Sequence, residues 1–103
     1  MGVFRVEWRE RGIAHLVMDH PDRKLNVLDE AAVAGLEAAL PELEARRGTT
    51  GVILRSGKDG SFIAGADVDA IGALTDREVV RGLIRRAHAA FGRLAGLGAP
   101  TVA

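Results

Sequence analysis

Hydrophobic and polar residues alternate near the start of the chain. Phe4, Val6 and Trp8 are separated by charged side chains, and this period of two predicts a half-buried strand. The turn-like triplet Glu10–Gly12 separates it from Ile13–Met18, a run that is almost wholly apolar. We therefore expect a β-hairpin whose second strand is buried on both faces.

A helical period follows the polar loop at residues 19–26. Apolar residues recur with the spacing of one helix face at Val33, Leu36, Leu40 and Leu43. Asp29 precedes them and is a suitable N-cap. Pro41 is expected to kink this helix or to split off its last turn, because proline lacks an amide hydrogen. Gly48 is expected to close the helix.

The second half of the chain begins with a short apolar strand at residues 52–54 and a glycine-rich loop at residues 56–61. A short helix is expected to begin near Ala66. A capping-box pattern at Thr75 starts a long helix, whose predicted core stripe comprises Val79, Val80, Leu83, Ile84, Ala87, Phe91 and Leu94. Another buried strand is expected at residues 101–103. The order β-β-α-β-α-β is typical of an α/β fold.

Composition excludes several function classes. Of 103 residues, 48% are hydrophobic, and basic and acidic residues number 14 each. This net charge of zero gives no electrostatic reason to expect a nucleic acid or an anionic membrane as partner. The absence of cysteine excludes a cysteine-ligated zinc site and a thiol nucleophile, and the three histidines lack metal-ligand spacing. Without a secretory signal or an apolar run of about 20 residues, a cytoplasmic protein with no membrane span is expected.

Two glycine patterns resemble nucleotide-binding loops but fail on spacing. Gly51 is one residue too far from Gly57 and Lys58 for a P-loop, and the Gly-Leu-Gly triplet at residues 96–98 follows a helix pattern, not a strand. Residues 61–68 differ, because they are rich in small side chains and lie between a predicted strand and a predicted helix start. Unpaired N–H groups there would suit an oxyanion. The alternative is a tight strand-to-helix turn without a ligand.

Three stretches of the sequence together resemble one family. The string Phe-Ile-Ala-Gly-Ala-Asp at residues 62–67 resembles the first oxyanion loop of the enoyl-CoA hydratase/isomerase (crotonase) family. Residues 20–28 are similar to that family's Pro-x-x-Lys-x-Asn-x-Leu segment, which borders the CoA site. Residues 98–103 resemble the run before the second glycine-rich loop, with Ala99 where a lysine is common. The resemblance covers essentially the whole chain and is strongest to multifunctional members that act in fatty-acid β-oxidation.

This resemblance implies a fold and a set of site residues. The fold is a crotonase-like ββα superhelix, with residues 1–103 as the N-terminal portion of one domain that is truncated before its second oxyanion loop. The backbone N–H of Ala66 would be the first oxyanion donor. The implied CoA-binding residues are Lys24, Leu25, Ala64, Gly65, Ala66 and Asp67. The Asp67 carboxylate is expected to cap the helix and not to act as a base, because it would oppose a developing oxyanion.

The implied function is the acyl-CoA thioester-binding half of a 2-enoyl-CoA hydratase. The family's second N–H donor and its two acid/base glutamates lie beyond the position that matches Ala103, so this chain alone is expected to be inactive. Another reaction of the family (enoyl-CoA isomerase or thioesterase) is an alternative, as is a non-catalytic CoA-binding or structural remnant. No permanently bound cofactor or metal is expected, since coenzyme A is part of the substrate.

The resemblance also bears on partners and on individual side chains. It implies a trimer-based homo-oligomer or a complex with a thiolase subunit for the full-length protein, which could also carry a 3-hydroxyacyl-CoA dehydrogenase. His15 is expected to be packed and hydrogen-bonded within its strand. His20 could contact substrate or be packed, and Lys58 could contact CoA phosphates or serve the fold.

Overall fold

A four-stranded sheet forms the base of the structure. The computed structural model describes residues 2–21, 23–65 and 77–103. The strands β1 (Phe4–Trp8), β2 (Ile13–Met18), β3 (Gly51–Ser56) and β4 (Thr101–Val102) lie in the order β1-β2-β3-β4. β1 is antiparallel to β2, whereas β2, β3 and β4 are parallel to one another. The predicted hairpin is confirmed, and Leu16, Val17 and Met18 are fully buried on the two faces of β2.

A tight 3-10 turn at Glu10–Gly12 closes the hairpin. Gly12 has a φ of 75°, and a Cβ at this position would lie 2.3 Å from the carbonyl oxygen of Gly48. The Thr50 N–H donates to the Gly12 carbonyl at 3.0 Å. The turn is therefore packed directly against the segment that leads into β3, and only glycine fits this backbone contact.

The first helix, α1 (Glu30–Ala45), covers one face of the sheet. The Asp29 side chain accepts a hydrogen bond from the Ala32 N–H, as predicted for an N-cap. The whole predicted stripe is buried: Val33, Leu36, Leu40 and Leu43. The expectation that Pro41 splits off the last turn is wrong, because the helix continues to Ala45. Pro41 itself is exposed, and burial of Leu43 retains the turn that follows it.

The end of α1 also differs from the sequence prediction. Arg46 already has an extended backbone, with φ of −83° and ψ of 121°, so the helix ends before Gly48. The Arg46 guanidinium lies over the Trp8 ring, 3.9 Å from its centroid. This cation–π contact ties the chain after α1 to β1, and Trp8 Nε1 also donates to Glu42 Oε2 at 3.0 Å.

The second described helix, α2 (Arg77–Ala95), enters the core through Ala90 and Leu94. The predicted core stripe is wrong for Val79, Ile84 and Phe91, which are exposed. A helix buries only the side chains that face a neighbouring element, and the buried residues of α2 are Ala90 and Leu94. The predicted capping box at Thr75 and the short helix near Ala66 lie outside the described residues.

Ion pairs reinforce the contact between the two helices. Arg86 donates to Glu37 at 2.7 Å, and Arg93 pairs with Glu44 through its Nε at 3.0 Å. The hydrogen bonds from these arginines lower the pKa of both glutamates. All four side chains are partly solvated, so the pairs orient the helices more than they stabilise them.

One apolar cluster joins the sheet to the two helices. Its buried members are Ala14, Leu16, Leu36, Ala39, Leu40, Leu43, Val52, Ala90 and Leu94. The expectation of a buried final strand is wrong, since Val102 in β4 is 62% exposed. Among the described residues, β4 pairs with β3 alone. No helix within the described ranges is long and apolar enough to cross a membrane.

The close contact at Gly12 predicts a large loss of stability on substitution. We expect Gly12→Ala to lower the free energy of unfolding by about 3 kcal/mol, since it combines left-handed backbone strain with a backbone clash. Gly48→Ala is the matched control, because φ is 82° there and the space around a Cβ is open. Its expected cost is about 1 kcal/mol. Urea denaturation of both variants would contradict this account if their losses were equal.

Candidate functional site

Two loops meet at the carboxyl ends of β2 and β3. Met18, the last residue of β2, is in register with Ser56, the last residue of β3. The Ala64 N–H donates to the Asn26 carbonyl at 2.7 Å, and the Leu28 N–H donates to the Gly65 carbonyl at 2.8 Å. The structure thus brings together the two segments that carry the predicted site residues, which lie far apart in sequence.

The loop that follows β3 ends in an unusual backbone conformation. Gly65 has a φ of 108°, and no atom of the described residues lies within 4 Å of a Cβ built on it. Backbone conformation, and not crowding, therefore favours glycine at this position. The residue that follows Gly65 in the sequence is Ala66, the predicted oxyanion donor.

The predicted CoA-binding residues that the structure describes lie around this loop. Lys24 and Ala64 are exposed, Gly65 is half-buried, and the Leu25 side chain is 45% exposed. Phe62 is also exposed, at 43%, so apolar and cationic groups are both accessible here. Ala66 and Asp67 lie outside the described residues, so their predicted roles stay predictions.

His20 belongs to the fold of the first loop. Its side chain is only 5% exposed, and Nε2 lies 2.9 Å from Asp29 Oδ2. The other oxygen of Asp29 accepts the N-cap hydrogen bond of α1. Of the two roles considered for His20, the packed one agrees with this geometry. The ring nitrogen Nδ1 is buried and has no hydrogen-bond partner among the described residues.

Lys58 holds the two loops together. Its Nζ donates to the His20 carbonyl at 2.7 Å and lies 2.7 Å from Asp19 Oδ1. The hydrogen bond from Lys58 lowers the pKa of the Asp19 carboxyl. Because the ammonium group already has these two partners, a role in the fold agrees better with the structure than contact with CoA phosphates.

His15 lies away from this site, on the other side of the sheet from the helices. Its Nδ1 accepts a hydrogen bond from Arg55 Nε at 3.0 Å, which confirms the prediction of a hydrogen-bonded histidine within β2. Arginine only donates, so the proton of neutral His15 is on Nε2. Among the described residues, no group of three or more histidine, cysteine or acidic side chains could hold a metal ion.

The sequence has named relatives, although no family model matches it. The chain is 39% identical over 100 residues to the fatty acid oxidation complex subunit alpha of Shewanella amazonensis. It is 34% identical over 100 residues to the protein of the same name from Idiomarina loihiensis. Each match covers 97% of this chain and 14% of the relative. The chain therefore spans about one seventh of the length of these relatives.

Solved structures agree with the sequence relatives. An enoyl-CoA hydratase from Mycobacterium smegmatis superposes with a TM-score of 0.83 at 27% identity. An enoyl-CoA hydratase/carnithine racemase from Magnetospirillum magneticum superposes with a TM-score of 0.82 at 26% identity. Each match covers 98% of this chain and 38% of the solved chain.

The described part of the chain therefore has the crotonase fold of the enoyl-CoA hydratases, as the sequence predicted. Within that class, its sequence is similar to fatty acid oxidation complex subunit alpha. The resemblance inferred from residues 20–28, 62–67 and 98–103 is confirmed by similarity over almost the whole chain. The domain boundaries predicted for residues 1–103 stay a prediction.

The ion pair between Lys58 and Asp19 predicts a pH-dependent contribution to stability. A carboxyl with a lowered pKa in the folded state stabilises the fold above its unfolded pKa, and that stabilisation is lost as the pH falls through the folded pKa. We expect Lys58→Met to lower stability at neutral pH. The difference from wild type should shrink below pH 3.8, the ordinary value for Asp19.

Urea denaturation at neutral and acidic pH would measure this difference. Lys24→Met is the matched control, since it removes the same charge from an exposed side chain and should leave the stability almost unchanged at both pH values. If Lys58→Met lowered the free energy of unfolding equally at neutral and at acidic pH, the ion pair with Asp19 would contribute nothing to stability.

Proposed function

We propose that this chain is the acyl-CoA thioester-binding part of a 2-enoyl-CoA hydratase, which adds water reversibly to trans-2-enoyl-CoA. The observation that carries this proposal is the loop at residues 61–65. Its backbone is hydrogen-bonded to Asn26 and Leu28, and Gly65 holds a positive φ immediately before Ala66. These hydrogen bonds hold the loop backbone in one conformation, as a site for a developing negative charge requires.

The chemistry of the substrate matches the groups around the loop. When water adds to a 2-enoyl thioester, negative charge develops on the thioester oxygen, and a backbone N–H aimed at that oxygen lowers the barrier. In the proposal, Ala66 supplies this N–H, while Ala64 and Gly65 line the path of the CoA moiety. The exposed Lys24 and Leu25 flank the CoA from the neighbouring segment, and Asp67 caps the following helix.

Two described carboxylates near this segment, Asp19 and Asp29, have structural partners. Asp19 pairs with Lys58, and Asp29 caps α1 while contacting His20. Neither is therefore suited to take a proton from water. The proposal assigns the second oxyanion donor and the acid/base pair to the rest of a hydratase domain. Coenzyme A enters as part of the substrate, and no permanently bound cofactor is required.

The names of the relatives support a wider proposal about assembly. Subunit alpha of a fatty acid oxidation complex is by its name part of a multiprotein assembly. We place the full-length protein in the cytoplasm, in a trimer-based homo-oligomer or with a thiolase subunit, and in fatty-acid β-oxidation. Sedimentation of the full-length protein with and without the thiolase would distinguish these two assemblies.

Binding of a thioester tests the proposal at Gly65. We expect the chain to bind butyryl-CoA, and Gly65→Ala to weaken this binding about fivefold, because a side chain disfavours the positive φ. Gly60→Ala is the matched control: its φ is 70°, it also has open space around the Cβ, and it lies before the proposed site. Calorimetric titration that shows no binding, or equal losses in the two variants, would refute the assignment of the loop.

The proposal assigns the second oxyanion donor and the acid/base pair to other parts of a hydratase domain, so we expect the chain not to catalyse hydration. Loss of one oxyanion donor costs roughly 2.7–4 kcal/mol of barrier stabilisation, and loss of the acid/base pair costs a further factor of about 10²–10⁴. Crotonyl-CoA incubated with the purified chain should therefore keep its enoyl absorbance. A full-length hydratase prepared in the same way is the positive control, and measurable turnover by the chain itself would contradict the prediction.

A further inference from the structure

Asn26 is a fully buried polar residue between the two loops of the site. Its Nδ2 lies 2.9 Å from each of three acceptors, namely the Met18 carbonyl, Ser56 Oγ and the Phe62 carbonyl. Its Oδ1 accepts a hydrogen bond from the His20 N–H at 3.0 Å. The side chain thus contacts the end of β2, the end of β3, the loop after β3 and its own loop.

The primary amide is well matched to these partners. An amide nitrogen carries two hydrogens, so three acceptors share two donors, while the amide oxygen serves the one N–H. An aspartate of the same shape would present oxygen to the carbonyl oxygens of Met18 and Phe62 and would place a charge in a buried position. The local chemistry therefore selects asparagine over its closest isostere.

The backbone of Asn26 adds a second attachment to the same loop. Its carbonyl accepts from the Ala64 N–H at 2.7 Å, two residues after Phe62, whose carbonyl meets the Asn26 side chain. One residue therefore holds both ends of the stretch Phe62–Ala64, which leads into Gly65. A buried residue with both attachments determines where this loop lies relative to the sheet edge.

From this arrangement we propose that Asn26 is the positioning residue of the loop at residues 61–65, which the proposed function assigns to the thioester. It holds residues 62–64, which lead into Gly65 and, in the proposed function, to the oxyanion donor, without contacting substrate itself. This inference rests on the proposed function, because it assigns Asn26 to recognition of the thioester oxygen. A residue needed only for folding would affect all CoA ligands alike, whereas a positioning residue affects those that carry the carbonyl.

The test compares two ligands that differ only in that carbonyl. We expect wild type to bind butyryl-CoA about fivefold more tightly than S-butyl-CoA, the thioether that lacks the carbonyl oxygen, as one hydrogen bond allows. Asn26→Asp should bring this ratio close to one. Val52→Ala is the control, because it opens the core at a residue that is 1% exposed and leaves the loop contacts in place. Its ratio should stay at the wild-type value.

Amide hydrogen exchange separates failure of this inference from failure of the proposed function. The Leu16 N–H in the core reports global unfolding, whereas the Ala64 N–H reports local opening of the loop. In Asn26→Asp, the ratio of the Ala64 exchange rate to the Leu16 exchange rate should therefore rise at least about tenfold. In Val52→Ala that relative rate should not change. If wild type binds neither ligand, the proposed function fails, and with it the assignment of Asn26 to thioester recognition.

The remaining outcomes concern Asn26 itself. An unchanged ligand ratio or an unchanged relative exchange rate in Asn26→Asp overturns the inference and leaves acyl-CoA binding intact. If Asn26→Asp does not fold, Asn26→Ser can be tested by the same two measurements. Its shorter side chain also removes most of the amide contacts, but it buries no charge. The same loss of ratio and the same gain in exchange are expected, and their absence in a folded Asn26→Ser overturns the inference.

Discussion

The parallel pairing of β2 with β3 is the constraint on which the site depends. Parallel strands end at the same edge of a sheet, and the register places Met18 beside Ser56 there. The chain therefore leaves both strands side by side, and the two following loops can satisfy each other's backbone groups. A shift of one residue in this register would turn the Ser56 side chain to the opposite face and remove a partner of Asn26.

Two kinds of interaction stabilise different parts of the molecule. Between sheet and helices, stability comes from burial of apolar side chains such as Leu16 and Leu40. At the carboxyl ends of β2 and β3, the contacts are polar. Asn26 joins four segments by hydrogen bonds, and Lys58 bridges Asp19 and the His20 carbonyl. Hydrogen bonds define positions more narrowly than apolar contacts do, so a polar edge suits the loop to which we assign the thioester oxygen in the proposed function.

The hydrophobic pattern of the sequence predicted the strands and helices well where the apolar face of an element is covered by a neighbouring element. The strands β1 and β2 and the buried stripe of α1 agree with the sequence, because alternation and helical period report directly on burial there. The same reasoning failed for Phe91 in α2 and Val102 in β4, since periodicity indicates which residues share a face but not whether another element covers it. The expectation that Pro41 splits off the last turn of α1 failed for a related reason: burial of Leu43 in the tertiary core retains a turn that local propensity disfavours.

The sequence by itself determined the fold class, the N-cap at Asp29 and the stretches that carry the site, because each depends on neighbours along the chain or on recognisable strings of residues. Only the tertiary structure decided the roles of Asn26 and Lys58. Two of their partners, Phe62 for Asn26 and Asp19 for Lys58, lie more than 30 residues away, and no local pattern specifies such a contact. Which polar residue becomes buried between two loops follows from strand pairing, and strand pairing is a property of the whole chain.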